Sequence, residues 1–170
     1  MAATTGLTGP AGFSDTLKMY GNATDVARGV SRLLIQEGYS PILEFTLANG
    51  RRLDVAALGP DGTMLGVEIK VSVANLRGDT KWPEYLEYCE LFYFAIPPDF
   101  PDEHVPPGTG LIVADRYGGA IIRPATLQPV HASRRKAVTL KFAKCAAERL
   151  STILSLDEVR GITVLPDAAD

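Results

Sequence analysis

Apolar and polar residues alternate along this chain with two different periods. Residues 23–37 place apolar side chains at helical spacing, and either Asn22 or Thr24 can cap the first turn of the predicted helix. Short apolar runs separated by turn residues predict strands over 41–47, 54–58, 64–71 and 91–96. A second helix is predicted over 79–90, with Pro83 tolerated in its first turn.

The order of these elements predicts an α/β fold with a mixed sheet. The first three strands follow one another through short turns and should form a meander, whereas the helix before the fourth strand permits a parallel crossover. Two further strands are expected over 110–114 and 120–123, and Ser133 is expected to cap a long helix reaching about residue 154. Residues 1–20 carry little pattern, so we expect a mobile N-terminal tail there.

Charged residues interrupt the two strands of the predicted hairpin. Asp54 lies in the first of these strands, and Glu68 and Lys70 lie in the second. Because residues two apart in a strand project from one face, Glu68, Lys70 and Ser72 should share a face, as should Arg52 and Asp54. Burying ionisable groups on an apolar sheet costs free energy unless they pair with one another or coordinate a metal.

These residue types suit a divalent cation. Hard carboxylate oxygens from Asp54 and Glu68 can hold Mg²⁺ or Mn²⁺, and the backbone carbonyl of Ile69 can add a third oxygen. Glu44, on the preceding strand, is either a further acidic ligand or an exposed carboxylate. Lys70 would then orient an attacking water and stabilise developing negative charge. The alternative is a surface ion pair between Glu68 and Lys70 that only solvates one face of the sheet.

The arrangement of Asp54 followed by Glu68-x-Lys70 on the next strand resembles the active-site signature of the PD-(D/E)xK nuclease superfamily. Leu53 replaces the proline of that signature without touching the chemistry. The segments RRLDVAALGPDG, VEIK, DTKWPEYLEYC, FYFAIPPDFP and GLIVAD further resemble the MmcB-type DNA repair family over about residues 22–150.

The resemblance implies a restriction-endonuclease-like core of helix, three-strand meander, helix and strand, with extra strands and a long C-terminal helix. It implies a single PD-(D/E)xK-like domain over 21–156 and a C-terminal tail over 157–170. The implied function is a metal-dependent nuclease for damaged or branched DNA, with Mg²⁺ or Mn²⁺ as cofactor and Asp54, Glu68 and Lys70 as catalytic residues. Its alternative is an inactive nuclease fold that binds DNA or a repair partner. A homodimer is also compatible, because this fold often cuts duplexes as a dimer.

Contacts with DNA should come from residues around the hairpin. The candidates are Arg51, Arg52, Ser72, Arg77, Lys81 and Tyr85. Arg51 and Arg52 can clamp phosphate or simply flank a turn, and Tyr85 can stack on a base or pack as a core aromatic. The net charge of −3 argues against a general nucleic-acid-coating protein but leaves room for such a local patch.

Composition narrows the class of protein. The 170 residues are 46% hydrophobic and suggest one globular domain, with no apolar run of membrane-spanning length. The N-terminus lacks the pattern of a secretory signal, so we expect a cytoplasmic protein. Cys89 and Cys145 have apolar neighbours and are expected to be reduced core residues.

Overall fold

The computed structural model describes the backbone of residues 18–159 and the side chains of residues 18–155. The strands are β1 (Ser40–Thr46), β2 (Arg52–Leu58), β3 (Met64–Ile69), β4 (Leu91–Ile96), β5 (Gly110–Ala114) and β6 (Gly119–Arg123). The helices are α1 (Ala23–Gln36), α2 (Val73–Gly78) and α3 (Ala132–Val159), with 3₁₀ turns at Trp82–Glu87 and Asp102–His104. Most of the predicted tails, residues 1–20 and 157–170, lie outside the described residues.

The six strands form one mixed sheet in the order β1-β2-β3-β4-β5-β6. β1, β2 and β3 pair antiparallel as a meander, and β3, β4 and β5 pair parallel. β6 returns antiparallel to β5. The predicted meander and parallel crossover are therefore confirmed, and the fold agrees with the predicted α/β class.

Each face of the sheet carries its own apolar core. On one face, α1 buries Val30 and Leu34 against strand residues such as Val55 and Val67. Asn22 caps α1 through its side chain, which accepts a hydrogen bond from the Thr24 amide. The second core, on the other face, lies beneath α3 and the 3₁₀ turn Trp82–Glu87, and it includes the residues Phe45, Leu53, Tyr85, Phe94, Val138 and Phe142.

The helix predicted over 79–90 is wrong in extent and type. The chain instead forms the short α2 and a separate 3₁₀ turn, Trp82–Glu87. The Ser72 hydroxyl accepts a hydrogen bond from the Asn75 amide at 3.3 Å. This cap starts α2 at Val73, ahead of the predicted helix. Asp79 then accepts hydrogen bonds from the Lys81 and Trp82 amides, each at 3.1 Å. Both are side-chain caps that compete with a continuous helix.

The long C-terminal helix is confirmed, with corrected ends. α3 begins before Ser133, whose amide lies 3.4 Å from the ring nitrogen of His131, so Ser133 is not its cap. Val138 and Phe142 in its first half are buried in the core, whereas Leu150 and Ile153 in its second half are 57% and 56% exposed.

Cys89 and Cys145 are both free thiols, as expected, and Cys89 is buried. None of the helices in the described part of the chain is long and apolar enough to cross a membrane.

Gly29 sets how closely α1 approaches the turn between β5 and β6. A Cβ at this position would overlap the carbonyl oxygens of Asp115 and Gly118, which are backbone atoms. We expect Gly29→Ala to lower the free energy of unfolding by about 3 kcal/mol, measured by urea denaturation. Gly78→Ala is the control, because a Cβ there meets nothing within 4 Å. Equal stability of the two variants would contradict this packing.

Candidate active site

β2 changes face at Asp54. Leu53 packs in the core beneath α3 and Val55 in the core beneath α1, although residues two apart in a regular strand share a face. The ladder pairs the residues on either side of this point but does not pair Asp54 with Glu44 of β1. Glu44 has a φ of +53°, which is left-handed backbone. At this break, the side chain of Asp54 does not follow the alternation between the two faces of the sheet that a regular β2 would impose.

The Asp54 carboxylate turns towards β3. Its Oδ2 accepts a hydrogen bond from the Ile69 amide at 2.7 Å, just beyond the last paired residues of β2 and β3. Asp54, Glu68, Ile69 and Lys70 consequently line one open depression of about 500 Å³. The remaining lining comes from the α2 region, namely Ala74, Asn75, Gly78 and Asp79. The structure thus brings together the four residues named as catalytic or metal-binding from the hairpin.

Glu68 and Lys70 are buried, at 6% and 9% exposure, on the side of the depression next to α2. The Lys70 ammonium lies 3.4 Å from Glu68 Oε2 and 2.6 Å from Asp79 Oδ2. Glu68 Oε1 is buried and makes no hydrogen bond of normal geometry, although the Tyr85 hydroxyl lies close enough to interact with this carboxylate. The pair of the alternative is present, but it is not a solvated surface pair, because both side chains are almost completely buried at the base of the depression. A buried carboxylate oxygen without a hydrogen bond of normal geometry is costly and points to a missing cation or donor.

Burial dominates the protonation of both hairpin carboxylates. It raises the pKa of Glu68 from 4.5 to about 7, and the nearby charge of Asp54 adds to this effect while Lys70 opposes it. Burial likewise raises the pKa of Asp54, against the Ile69 amide and Lys70, which lower it. Glu68 is therefore divided between its protonated and ionised forms near neutral pH.

Asp79 is the member of the site that the sequence did not reveal. It lies nine residues after Lys70, in the segment predicted as the start of a helix. One of its oxygens contacts the Lys70 ammonium while the other caps the 3₁₀ turn through the Lys81 and Trp82 amides. The only signal was an acidic residue at a predicted helix start, where capping was sufficient explanation.

The two predicted phosphate-binding arginines are already paired. Arg51 donates to both carboxylate oxygens of Glu84, at 2.8 and 2.9 Å. Arg52 contacts Glu44 at 2.6 Å. Glu44 lines a separate depression beside α3 with Lys141, so its carboxylate does not join the depression of Asp54. Both arginines would have to exchange a glutamate for a phosphate in order to bind DNA.

Two of the predicted DNA contacts, Ser72 and Tyr85, are buried. Ser72 is 4% exposed and serves as the cap of α2. Tyr85 is 7% exposed, donates to the Arg52 carbonyl at 3.2 Å, and stacks on Phe92 with a ring separation of 5.7 Å. Its ring face is covered, which agrees with the core alternative for this tyrosine.

Arg77 and Lys81 remain at the surface. The Arg77 guanidinium lies 3.3 Å from the ring of His104, and Lys81 is exposed at the start of the 3₁₀ turn. Of the predicted DNA contacts, these two side chains are accessible without breaking an ion pair to a carboxylate.

The number of acidic ligands is limited. Across residues 18–155, no three side chains of His, Cys, Asp or Glu are grouped as a metal cluster. A cation in the depression would therefore depend on the carboxylates of Asp54 and Glu68, with backbone oxygen or water completing its coordination.

The raised pKa of Glu68 makes stability depend on pH. Because the folded protein binds this proton more tightly than the unfolded chain, the stabilisation is fully present below about pH 4.5 and is lost as pH rises through about 7. We expect urea unfolding of metal-free protein to show a loss of at most about 3 kcal/mol between about pH 5 and about pH 8. Glu68→Gln should remove most of this dependence. An equally steep dependence in the variant would assign it to other groups.

Comparisons with known proteins identify the family. The model for DNA repair proteins of the MmcB-like type matches residues 14–156. A solved structure of a protein of unknown function from Silicibacter pomeroyi is 38% identical, covers 85% of this chain and 97% of its own, and superposes with a TM-score of 0.75. None of the curated proteins compared with the chain matches it significantly. The chain belongs to the MmcB-like DNA repair protein family.

Proposed function

We propose that this protein is a metal-dependent nuclease that hydrolyses phosphodiester bonds in damaged or branched DNA. Membership of a DNA repair family supports a role in DNA repair. The observation that carries the nuclease proposal is the buried Glu68 carboxylate, whose Oε1 makes no hydrogen bond of normal geometry, in one depression with Asp54 and Lys70. Two carboxylates, an ammonium and an opening to solvent are the components that metal-assisted phosphoryl transfer requires.

The donor set fits Mg²⁺ or Mn²⁺. Asp54 and Glu68 would supply hard carboxylate oxygens, and the Ile69 carbonyl is the candidate for a third. When bound, the ion would activate water and neutralise charge on the scissile phosphate. Asp54 is held in place by the Ile69 amide, so one of its oxygens is fixed and the other is left for the ion.

Lys70 supplies the positive charge that belongs to the chain itself. In hydrolysis a water oxygen bonds to phosphorus, one phosphorus–oxygen ester bond breaks, and the products are a phosphate monoester and a hydroxyl group. Lys70 would stabilise the negative charge that develops on the phosphoryl oxygens. Asp79, at 2.6 Å, restricts the ammonium to the side of the depression formed by α2.

A non-catalytic repair module on the same fold is the second candidate. The observation that favours it is the pairing of the site's cations: Lys70 lies between two carboxylates, and Arg51 and Arg52 are each neutralised by a glutamate. In that case the buried charges would stabilise only the hairpin, and DNA would be bound elsewhere or through a partner.

Cleavage assays separate the two candidates. Purified protein would be incubated with Mg²⁺ or Mn²⁺ and with single-stranded, duplex, flapped and branched DNA. The nuclease proposal expects metal-dependent products from at least one of these substrates. Binding to DNA without any cleavage would support the second candidate.

Asp54→Asn should abolish metal-dependent cleavage. The substitution removes an anionic ligand while nearly preserving volume, and the amide oxygen can still accept the Ile69 hydrogen bond. We expect weaker Mn²⁺ binding by calorimetry, with the fold intact by circular dichroism. Cleavage at the parental rate would exclude Asp54 as a ligand.

Lys70→Ala should lower the rate more than the affinity for DNA. If Lys70 acts mainly in the transition state, its loss should reduce kcat by about 10²–10³. Single-turnover cleavage and equilibrium DNA binding would be measured on the same variant, with Lys144→Ala of α3 as the matched control. An unchanged kcat would restrict Lys70 to a structural ion pair.

Lys81→Ala should weaken DNA binding in a salt-dependent way. If Lys81 contacts a phosphate, its loss should reduce the slope of log affinity against log salt by about 0.9 on duplex DNA. Lys136→Ala, which removes an exposed charge from α3, serves as the control. A larger effect of Lys136 than of Lys81 would place the DNA path along α3.

A further inference from the structure

We infer that Arg149 of α3 is a positioning residue for Asp54 and acts through the backbone of β1. The inference rests on the proposed function only in taking Asp54 as a metal ligand. Arg149 touches neither Asp54 nor any other residue lining the depression of Glu68 and Lys70 in the contacts that the described side chains make.

Arg149 contacts β1 where the ladder to β2 is broken. Its Nη1 donates to the Leu43 carbonyl, and its Nη2 donates to the Glu44 carbonyl at 3.1 Å. β1 is an edge strand, so no further strand is available to satisfy these carbonyls. The guanidinium fork therefore holds two successive carbonyl groups at the break.

The backbone that Arg149 holds is strained. Within the described residues, Glu44 is the one non-glycine residue with a positive φ. Left-handed backbone is unfavourable for a residue with a side chain and persists only where the surroundings enforce it. The two donors from Arg149 are contacts of the required kind, and the exposed pair between Glu44 and Arg52 adds little.

The strained residue lies across from Asp54. In an uninterrupted ladder Glu44 would pair with Asp54, since the register joins the residues on both sides of them. Relaxation of Glu44 to extended backbone would restore that pair and return Asp54 to the alternation of β2. The Asp54 carboxylate would then leave the Ile69 amide, to which it now bonds at 2.7 Å.

Docking of α3 does not depend on Arg149 alone. Arg135 contacts the buried carboxylate of Glu90 at 3.1 Å, and Lys141 donates to the Leu47 carbonyl at 3.3 Å. Val138 and Phe142 are buried in the core. Removal of Arg149 should therefore release the β1 break while the helix stays in place.

Arg149→Met is the variant that tests this role, with Lys144→Met on the same helix as the control. Hydrogen exchange followed by NMR reports directly on the Ile69 amide, whose acceptor is Asp54. We expect exchange at Ile69 to be about tenfold faster in Arg149→Met and unchanged in the control. Mn²⁺ affinity, measured by calorimetry, should fall about tenfold, as is typical when support for a ligand is lost.

Glycine at position 44 separates positioning from helix docking. Glycine adopts positive φ without support, so Glu44→Gly in the Arg149→Met background should restore slow exchange at Ile69 and most of the Mn²⁺ affinity. Glu44→Gly alone supplies the reference for both measurements. Rescue supports the inference, whereas normal Ile69 exchange in Arg149→Met, or a defect that glycine does not rescue, overturns it.

The two proposals fail differently. If the parent protein binds no Mn²⁺, the proposed function fails, and the exchange of the Ile69 amide still decides whether Arg149 positions Asp54. If the parent binds Mn²⁺ but exchange at Ile69 is indifferent to Arg149, the positioning role alone is overturned.

Discussion

A carboxylate buried on an apolar sheet determines the arrangement of the rest of the site. Glu68 is buried, with one oxygen near Lys70 and the other without a hydrogen bond of normal geometry. Burying such a group costs several kcal/mol unless charge or hydrogen bonds compensate. Lys70 compensates in part, and the pKa of Glu68, raised to about 7, shows that the compensation is incomplete. A divalent cation would supply the positive charge that Lys70 does not.

The surrounding elements can be understood as support for this charge. The break in β2 delivers a second carboxylate, Asp54, and the Ile69 amide fixes it. The early start of α2, capped by Ser72, brings Asp79 back to the ammonium of Lys70. Backbone kinks and caps therefore position the charged groups as much as the strands themselves do.

Sequence was sufficient where the determinants are local. Period-two alternation and short turns predicted the meander, and the spacing of Glu68 and Lys70 predicted a shared face. Asp79 escaped because capping a predicted helix was sufficient explanation for it, and no residue pattern indicates the positive φ of Glu44. Arg149 escaped because its partners on β1 lie more than 100 residues away in the chain. The pairing of Arg51 with Glu84 was hidden for the same reason, since 33 residues separate them.

The most direct test of this account is the location of a divalent ion. Crystals soaked in Mn²⁺ would be measured at a wavelength where manganese scatters anomalously. We expect an anomalous peak between the Asp54 carboxylate and Glu68 Oε1, and no such peak in Asp54→Asn crystals treated in the same way. A Mn²⁺ peak elsewhere with none at this position, or a water or side-chain donor on Glu68 Oε1 in its place, would contradict it.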